Sequence, residues 1–266
     1  MTRTDHPNTY DTLTTEYNFK DYEFSRLRER YRSETGNSWK EELFDSFGIR
    51  DADGKLTNAG ALLADYSPIV QSRIICNRWN EFGDASDSTE YSGSLITLFE
   101  EGYSFLRRNM RTPWIKAPNS RIELPEYPIT SISEALVNAL IHRDYQILDS
   151  RILVDIYDDH LTITSPGGMP DGTYIQERDI SKVSIVCRNP ILANILEHLG
   201  YMVPGENGLK RILESYRSAL NYRKELTPKF HSDSSTFQVM LYNLNYGMDL
   251  EEMARNILDE ARKRSI

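Results

Sequence analysis

Cysteine is scarce: Cys76 and Cys187 are the only two in 266 residues. They lie far apart and no CxxC pair occurs. Neither a disulfide framework nor a zinc site is therefore expected, and a reducing cytoplasm fits. No apolar run approaches the roughly 20 residues that span a bilayer. The opening MTRTDHPNTYDTLTTEY lacks the apolar segment of a signal peptide, so no membrane association is expected. Cations are in the minority, 31 Lys and Arg against 40 Asp and Glu, for a net charge of −9. That balance excludes a whole-surface grip on nucleic acid, because phosphate contacts need clustered Lys and Arg. Local groups remain: Arg107, Arg108 and Arg111, and Lys210, Arg211 and Arg217. Helix faces carry such charges for solvation alone. The chain also lacks a Walker A or Rossmann fingerprint, an HExxH pair and a nucleophile elbow.

What is present is a globular balance, 39% hydrophobic and 27% charged, which sets the chain apart from disordered ones. Residues 1–21 are polar and turn-rich and predict an arm or linker. A mixed α/β domain is expected over 22–117. It holds helices near 22–32 and 39–47, a short helix over 56–64 capped by Thr57, a strand over 72–79, a polar loop over 83–92 and a helix over 94–110. Pro113, Pro118, Pro125 and Pro128 punctuate the chain and place a boundary near residue 117. Beyond it, over 118–246, strands alternate with helices. A helix is expected over 132–145, strands over 151–157 and 161–165, a loop over 167–186, and helices over 190–199, with Asn189 as cap, and 209–222. A strand over 235–244 follows. Residues 247–266 predict an amphipathic C-terminal helix, with Leu250, Met253, Ile257, Leu258 and Ala261 on one face. The fold class is α/β (α+β).

Three segments carry candidate chemistry. In Ser133-Glu-Ala-Leu-Val-Asn-Ala-Leu-Ile-His-Arg-Asp-Tyr145, helical spacing puts Glu134, Asn138, His142 and Tyr145 on one polar stripe. A carboxylate and a carboxamide one turn apart suit the oxygen ligands of Mg²⁺, and the carboxylate could orient a water toward a phosphate. Ser131-Ile-Ser-Glu134 equally matches a capping box, in which Glu134 only bonds the start of its helix. Gly167 and Gly168 follow a strand, where a glycine pair lets backbone approach a ligand or merely forms a loop. Gly205 and Gly208 precede a helix, whose first N–H groups and positive dipole end suit a phosphate or simply close a turn.

In this order, Glu134…Tyr145, Ser165-Pro-Gly-Gly-Met-Pro170, Arg188-Asn-Pro190 and Gly205…Gly208-Leu-Lys-Arg-Ile212 resemble the C-terminal domain of RecG-like transcriptional regulators, a divergent GHKL (histidine kinase/gyrase-like) ATPase. The likeness is strongest over about 120–245. It implies a two-layer α/β sandwich, preceded here by a smaller mixed domain, with ATP and Mg²⁺ as cofactors. By residue it implies Glu134 as the catalytic carboxylate, Asn138 as the Mg²⁺ ligand, and a nucleotide pocket formed with His142, Ser165, Gly167, Gly168, Gly205 and Gly208. It further implies a homodimer that acts on DNA mainly through an AlbA-type domain, this chain starting in the linker after it. At most a weak Mg²⁺-dependent ATPase is expected, with a non-binding docking module as the alternative. Two positions depart from the pattern. Ser165 stands near the place of the Asp that receives the adenine amino group, and Glu206 adds negative charge beside the later glycines, which opposes a triphosphate.

Overall fold

A computed structural model describes residues 9–116, 121–182 and 186–249. The expected C-terminal helix falls almost wholly outside them. In chain order the strands and helices are β1 (Thr14–Asn18), α1 (Ser25–Thr35), α2 (Glu42–Ser46), β2 (Lys55–Thr57), α3 (Asn58–Leu63), β3 (Arg73–Trp79), β4 (Ala85–Ser92) and α4 (Leu95–Arg108). Then come β5 (Trp114–Lys116), β6 (Arg121–Glu123), α5 (Ile129–Ile141), β7 (Ile152–Ile156), β8 (His160–Pro166), α6 (Pro190–His198), α7 (Gly208–Ser218), β9 (Lys229–Ser232) and β10 (Thr236–Tyr242).

The main sheet has six strands in the order β4-β3-β7-β8-β10-β9. Only β3 and β7 run parallel; the other neighbours are antiparallel. Register carries a buried row across it: Cys76 beside Val154, Val154 beside Ile163, Ile163 beside Val239, and Val239 beside Phe230. The next position along each strand points the other way, because side chains alternate with period two. Asn77, Asp155 and Met240 accordingly lie on the opposite, more open face. Helices α4 and α5 cover the buried face, α5 packing against α4 and strands β8 and β10, and α7 packs against α5. The result is the two-layer α/β sandwich the sequence implied. The sheet takes β3 and β4 from before residue 117 and its other strands from after it, so that position does not divide two sheets.

Residues 10–21, expected as a loose arm, belong to the folded body. Strand β1 pairs with β2, and Phe19 packs on Phe24 and Phe44. Asp11 is fully buried, and its Oδ2 accepts hydrogen bonds from the amides of Ile191 (2.7 Å) and Leu192 (3.2 Å). It is therefore Asp11 that caps α6, from 180 residues away in sequence. Asn189, the expected cap, makes no side-chain cap bond. Its Nδ2 instead donates to the carbonyls of Ile141 and Arg143.

Residues 85–92, expected as loop, form the edge strand β4. Their side chains are mostly exposed, so no apolar alternation betrays the strand; polar edges of this kind also discourage pairing with other chains. Thr57 does cap its helix, accepting from the amide of Gly60 at 3.1 Å.

Candidate functional site

Helix α5 starts at Ile129 behind Pro128, earlier than expected, and this decides the role of Glu134. Ser131 now lies inside the helix, and its hydroxyl donates to the carbonyl of Ile212 on α7 at 3.2 Å. There is no capping box. Glu134 is buried in the α5–α7 interface, and its Oε1 accepts from Nη1 of Arg211. Arg211 also reaches Glu206, with Nε 3.1 Å from Oε2. One guanidinium thus bridges two carboxylates. Burial pushes the Glu134 carboxyl up from its ordinary pKa; Arg211 opposes that shift and Glu206 adds to it.

Asn138 lies one turn on. Its Nδ2 donates to the carbonyl of Glu134 at 2.7 Å. Gly208, the first residue of α7, faces both side chains. A Cβ at this glycine would stand 2.8 Å from Oε2 of Glu134 and well inside contact with the Asn138 amide. A side chain here would have to displace the ends of both, so glycine suits this approach of α7 to α5. Two of the N-terminal amides of α7 are already occupied: Oδ1 of Asn207 accepts from Leu209 (2.9 Å) and Lys210 (3.3 Å).

The helix ends at Ile141, so Tyr145 does not extend the polar stripe. It is buried, stacks on Tyr10 and donates to the carbonyl of Leu140 at 2.9 Å. His142 closes α5, and its ring lines a slot between α5 and the sheet together with Asn138, Ala139, Ile163, Ser165 and Val239. Gly167, Gly168 and Met169 form its rim. Burial and the nearby Arg188 guanidinium lower the His142 pKa to about 4, so the imidazole is neutral at physiological pH. Ser165 is buried, and its hydroxyl donates to the carbonyl of Ala139 at 2.7 Å.

The glycine pair serves the protein's own packing. Gly167 has φ +100°, and a Cβ there would lie 2.6 Å from Cβ of Asp144. A Cβ at Gly168 would overlap the carbonyl of Asp233. Arg188 fastens this corner: Nε donates to the His142 carbonyl (3.0 Å), Nη1 to Oδ2 of Asp144 (2.9 Å) and Nη2 to the Gly168 carbonyl (2.6 Å).

Of the expected site residues, Asn138, His142, Ser165, Gly167 and Gly168 line the slot, while Glu134 and Gly208 do not line it and meet Asn138 where α7 abuts α5. Gly205 stands apart, with φ +71° and nothing near its Cβ position. Sequence reasoning missed Arg211, Arg188 and Asn207. Only the placement of Arg211 three residues after Gly208 hinted at its role, since that spacing puts both on one helix face. The slot is about 60 Å³ in volume, against roughly 300–1,000 Å³ for formed small-molecule sites. Its apolar walls suit the face of a flat ring. The described residues contain no group of three or more His, Cys, Asp or Glu placed to hold a metal ion. This does not disqualify Mg²⁺, which usually takes one or two protein carboxylates and completes its shell with phosphates and water.

Residues 149–241 match the sequence family described as "Putative ATP-dependent DNA helicase recG C-terminal". No curated protein matches the chain in sequence. Among solved structures, the DIP2311 protein from Corynebacterium diphtheriae superposes with a TM-score of 0.76 at 21% identity, over 96% of this chain and 52% of that one. The present chain thus spans about half the length of that neighbour, which shares its fold. No helix of the described residues is long and apolar enough to cross a membrane.

Proposed function

We propose that this chain is a divergent GHKL-type module of a transcriptional regulator, and that it senses an adenine nucleotide rather than turning it over. The observation that carries the reading is the meeting of Gly208 with Glu134 and Asn138 where α7 abuts α5, beside the slot. A phosphate-side glycine turn, a carboxylate and a carboxamide meet there, next to an apolar slot. The purine would enter the slot between Ala139 and Val239, with Ser165 and the neutral His142 as its polar partners. Asn138 would face the phosphates and their Mg²⁺, whose chemistry is to neutralise phosphate charge.

The volume of the slot implies that binding selects a wider arrangement of α5 and α7, so apparent affinity falls by the fraction of molecules that are open. Hydrolysis is disfavoured, because the Glu134 carboxylate is held in an ion pair with Arg211 and is not free to orient a water. DNA contact and homodimerisation belong to the same proposal. With a net charge of −9 the main contacts to duplex DNA are placed outside this chain.

Calorimetric titration with ADP and ATP, with and without Mg²⁺, tests the reading. Saturable heat that weakens roughly tenfold in Asn138→Ala, about 1.4 kcal/mol, is expected. No heat at millimolar ligand overturns it. A second reading, a non-binding module for dimerisation or partner docking, is favoured by one observation: Asn207 already accepts from two of the amides that a phosphate would use. Silence in calorimetry, combined with a concentration-dependent dimer in light scattering, would select it.

A further inference from the structure

A second cavity, of about 290 Å³, lies at the opposite end of α5. It is bounded by Arg107 at the end of α4, by Trp114 and Glu123 facing each other across the β5–β6 pair, by Arg121, and by Ile129 at the start of α5. By helix rise, Ile129 is about 14 Å along the axis from Asn138, so this is a different place from the nucleotide cleft.

Trp114 is 60% exposed. An indole left this open is not serving the core, and it offers a flat face beside the cavity on which a ring can stack. The charges around it are unusual for this acidic chain. Arg121 is held by Glu123 at 2.7 Å. Arg108 is spent on the fold: it pairs with Asp87 at 3.1 Å and lies over the Phe105 ring. Arg107, in contrast, has no ion pair among the described residues, and neither has the exposed side chain of Arg111. The Arg111 backbone amide binds Oε2 of Glu126. Two arginines and one carboxylate line the cavity, so it is locally positive on a molecule of net charge −9.

From this juxtaposition of an open indole, an unpaired guanidinium and a cavity of one-base size, we infer that the Trp114–Arg107 cavity binds single-stranded nucleic acid. A base stacks on the Trp114 ring and the adjoining phosphodiester pairs with Arg107. Stacking on aromatic side chains combined with backbone charge contacts is how single strands are held without sequence readout. The site does not depend on nucleotide occupying the slot between α5 and the sheet. An unpaired base is required, because in a duplex its faces are covered by its neighbours.

Fluorescence anisotropy of a labelled oligothymidylate of roughly ten nucleotides, titrated with the full chain at low salt, tests this. Saturable binding is expected, weakened roughly tenfold by Trp114→Ala and clearly by Arg107→Ala. It should fall with added salt, be unaffected by excess ADP, and be unchanged in Arg32→Ala, a control on the exposed α1. Both cavity side chains lie at the surface, so circular dichroism melts should match the wild type; Arg107→Ala keeps the test intact if Trp114→Ala loosens the short hairpin. The inference is overturned by absence of binding, by equal binding of a duplex of the same length, or by affinity that neither substitution changes. Equal loss on Arg32→Ala would also overturn it, since that indicates unspecific charge attraction.

Discussion

Gly208 lies so close to Glu134 that a single added carbon at the glycine would come within 2.8 Å of the carboxylate. The start of α7 and the middle of α5 are locked together at this point, with Arg211 as the clasp.

Replacing Gly208 by Ala is therefore expected to displace the Asn138 amide and the Glu134 carboxylate from their hydrogen bonds. Overpacking of this kind costs about 1–3 kcal/mol, to be measured by chemical denaturation. Gly205→Ala has no steric conflict and pays only for φ +71°, about 1 kcal/mol. Equal costs at the two positions would contradict the close approach.

Removing the clasp leaves a buried carboxylate alone. Arg211→Ala should destabilise by about 3 kcal/mol at neutral pH, discounted toward 2 because Arg211 is partly exposed. Adding Glu134→Gln should restore much of that loss. The pH dependence has a definite sign. The folded Glu134 carboxyl titrates above its unfolded value, so its contribution is most favourable at low pH and declines as pH rises from about 4.5 through the folded value. The stability of wild type relative to Glu134→Gln should fall across that window in denaturation series; a rise would contradict the burial of Glu134.

His142 gives the opposite slope. Its folded pKa, about 4, lies below the ordinary 6.5. Between those values the unfolded chain binds the extra proton, so stability is complete above pH 6.5 and is lost as pH falls toward 4. The loss is on the order of 3 kcal/mol, and His142→Gln should abolish it. Titration of the ring protons by NMR checks the value directly.

Asp11 joins the chain's beginning to α6. Asp11→Ala should cost about 1–2 kcal/mol, and Asp11→Asn less, since asparagine also caps helices. Two equally stable variants would show that the cap is idle.

Much of this was legible in the sequence and some was not, for physical reasons. The α5 pattern and the glycines pointed to one cleft because helical spacing and turn chemistry are local. Long-range partners left no local mark. The Asp11 cap for α6, the Arg188 clasp and the Arg211 bridge each join residues 20 to 181 positions apart. Strand β4 was invisible because an edge strand pairs through its backbone and need not alternate apolar residues. Ser131-Ile-Ser-Glu134 misled because a capping box requires the helix to begin at its serine, and Pro128 starts it three residues earlier.

Entry of an adenine nucleotide into the slot between α5 and the sheet is checked by residue-resolved NMR of the ¹⁵N-labelled chain titrated with ADP and Mg²⁺. Saturable amide shifts centred on Asn138, His142, Gly167, Gly168 and Gly208 are expected, with the β5–β6 hairpin unmoved. Absence of shifts at millimolar nucleotide, or shifts confined to other surfaces, would contradict it.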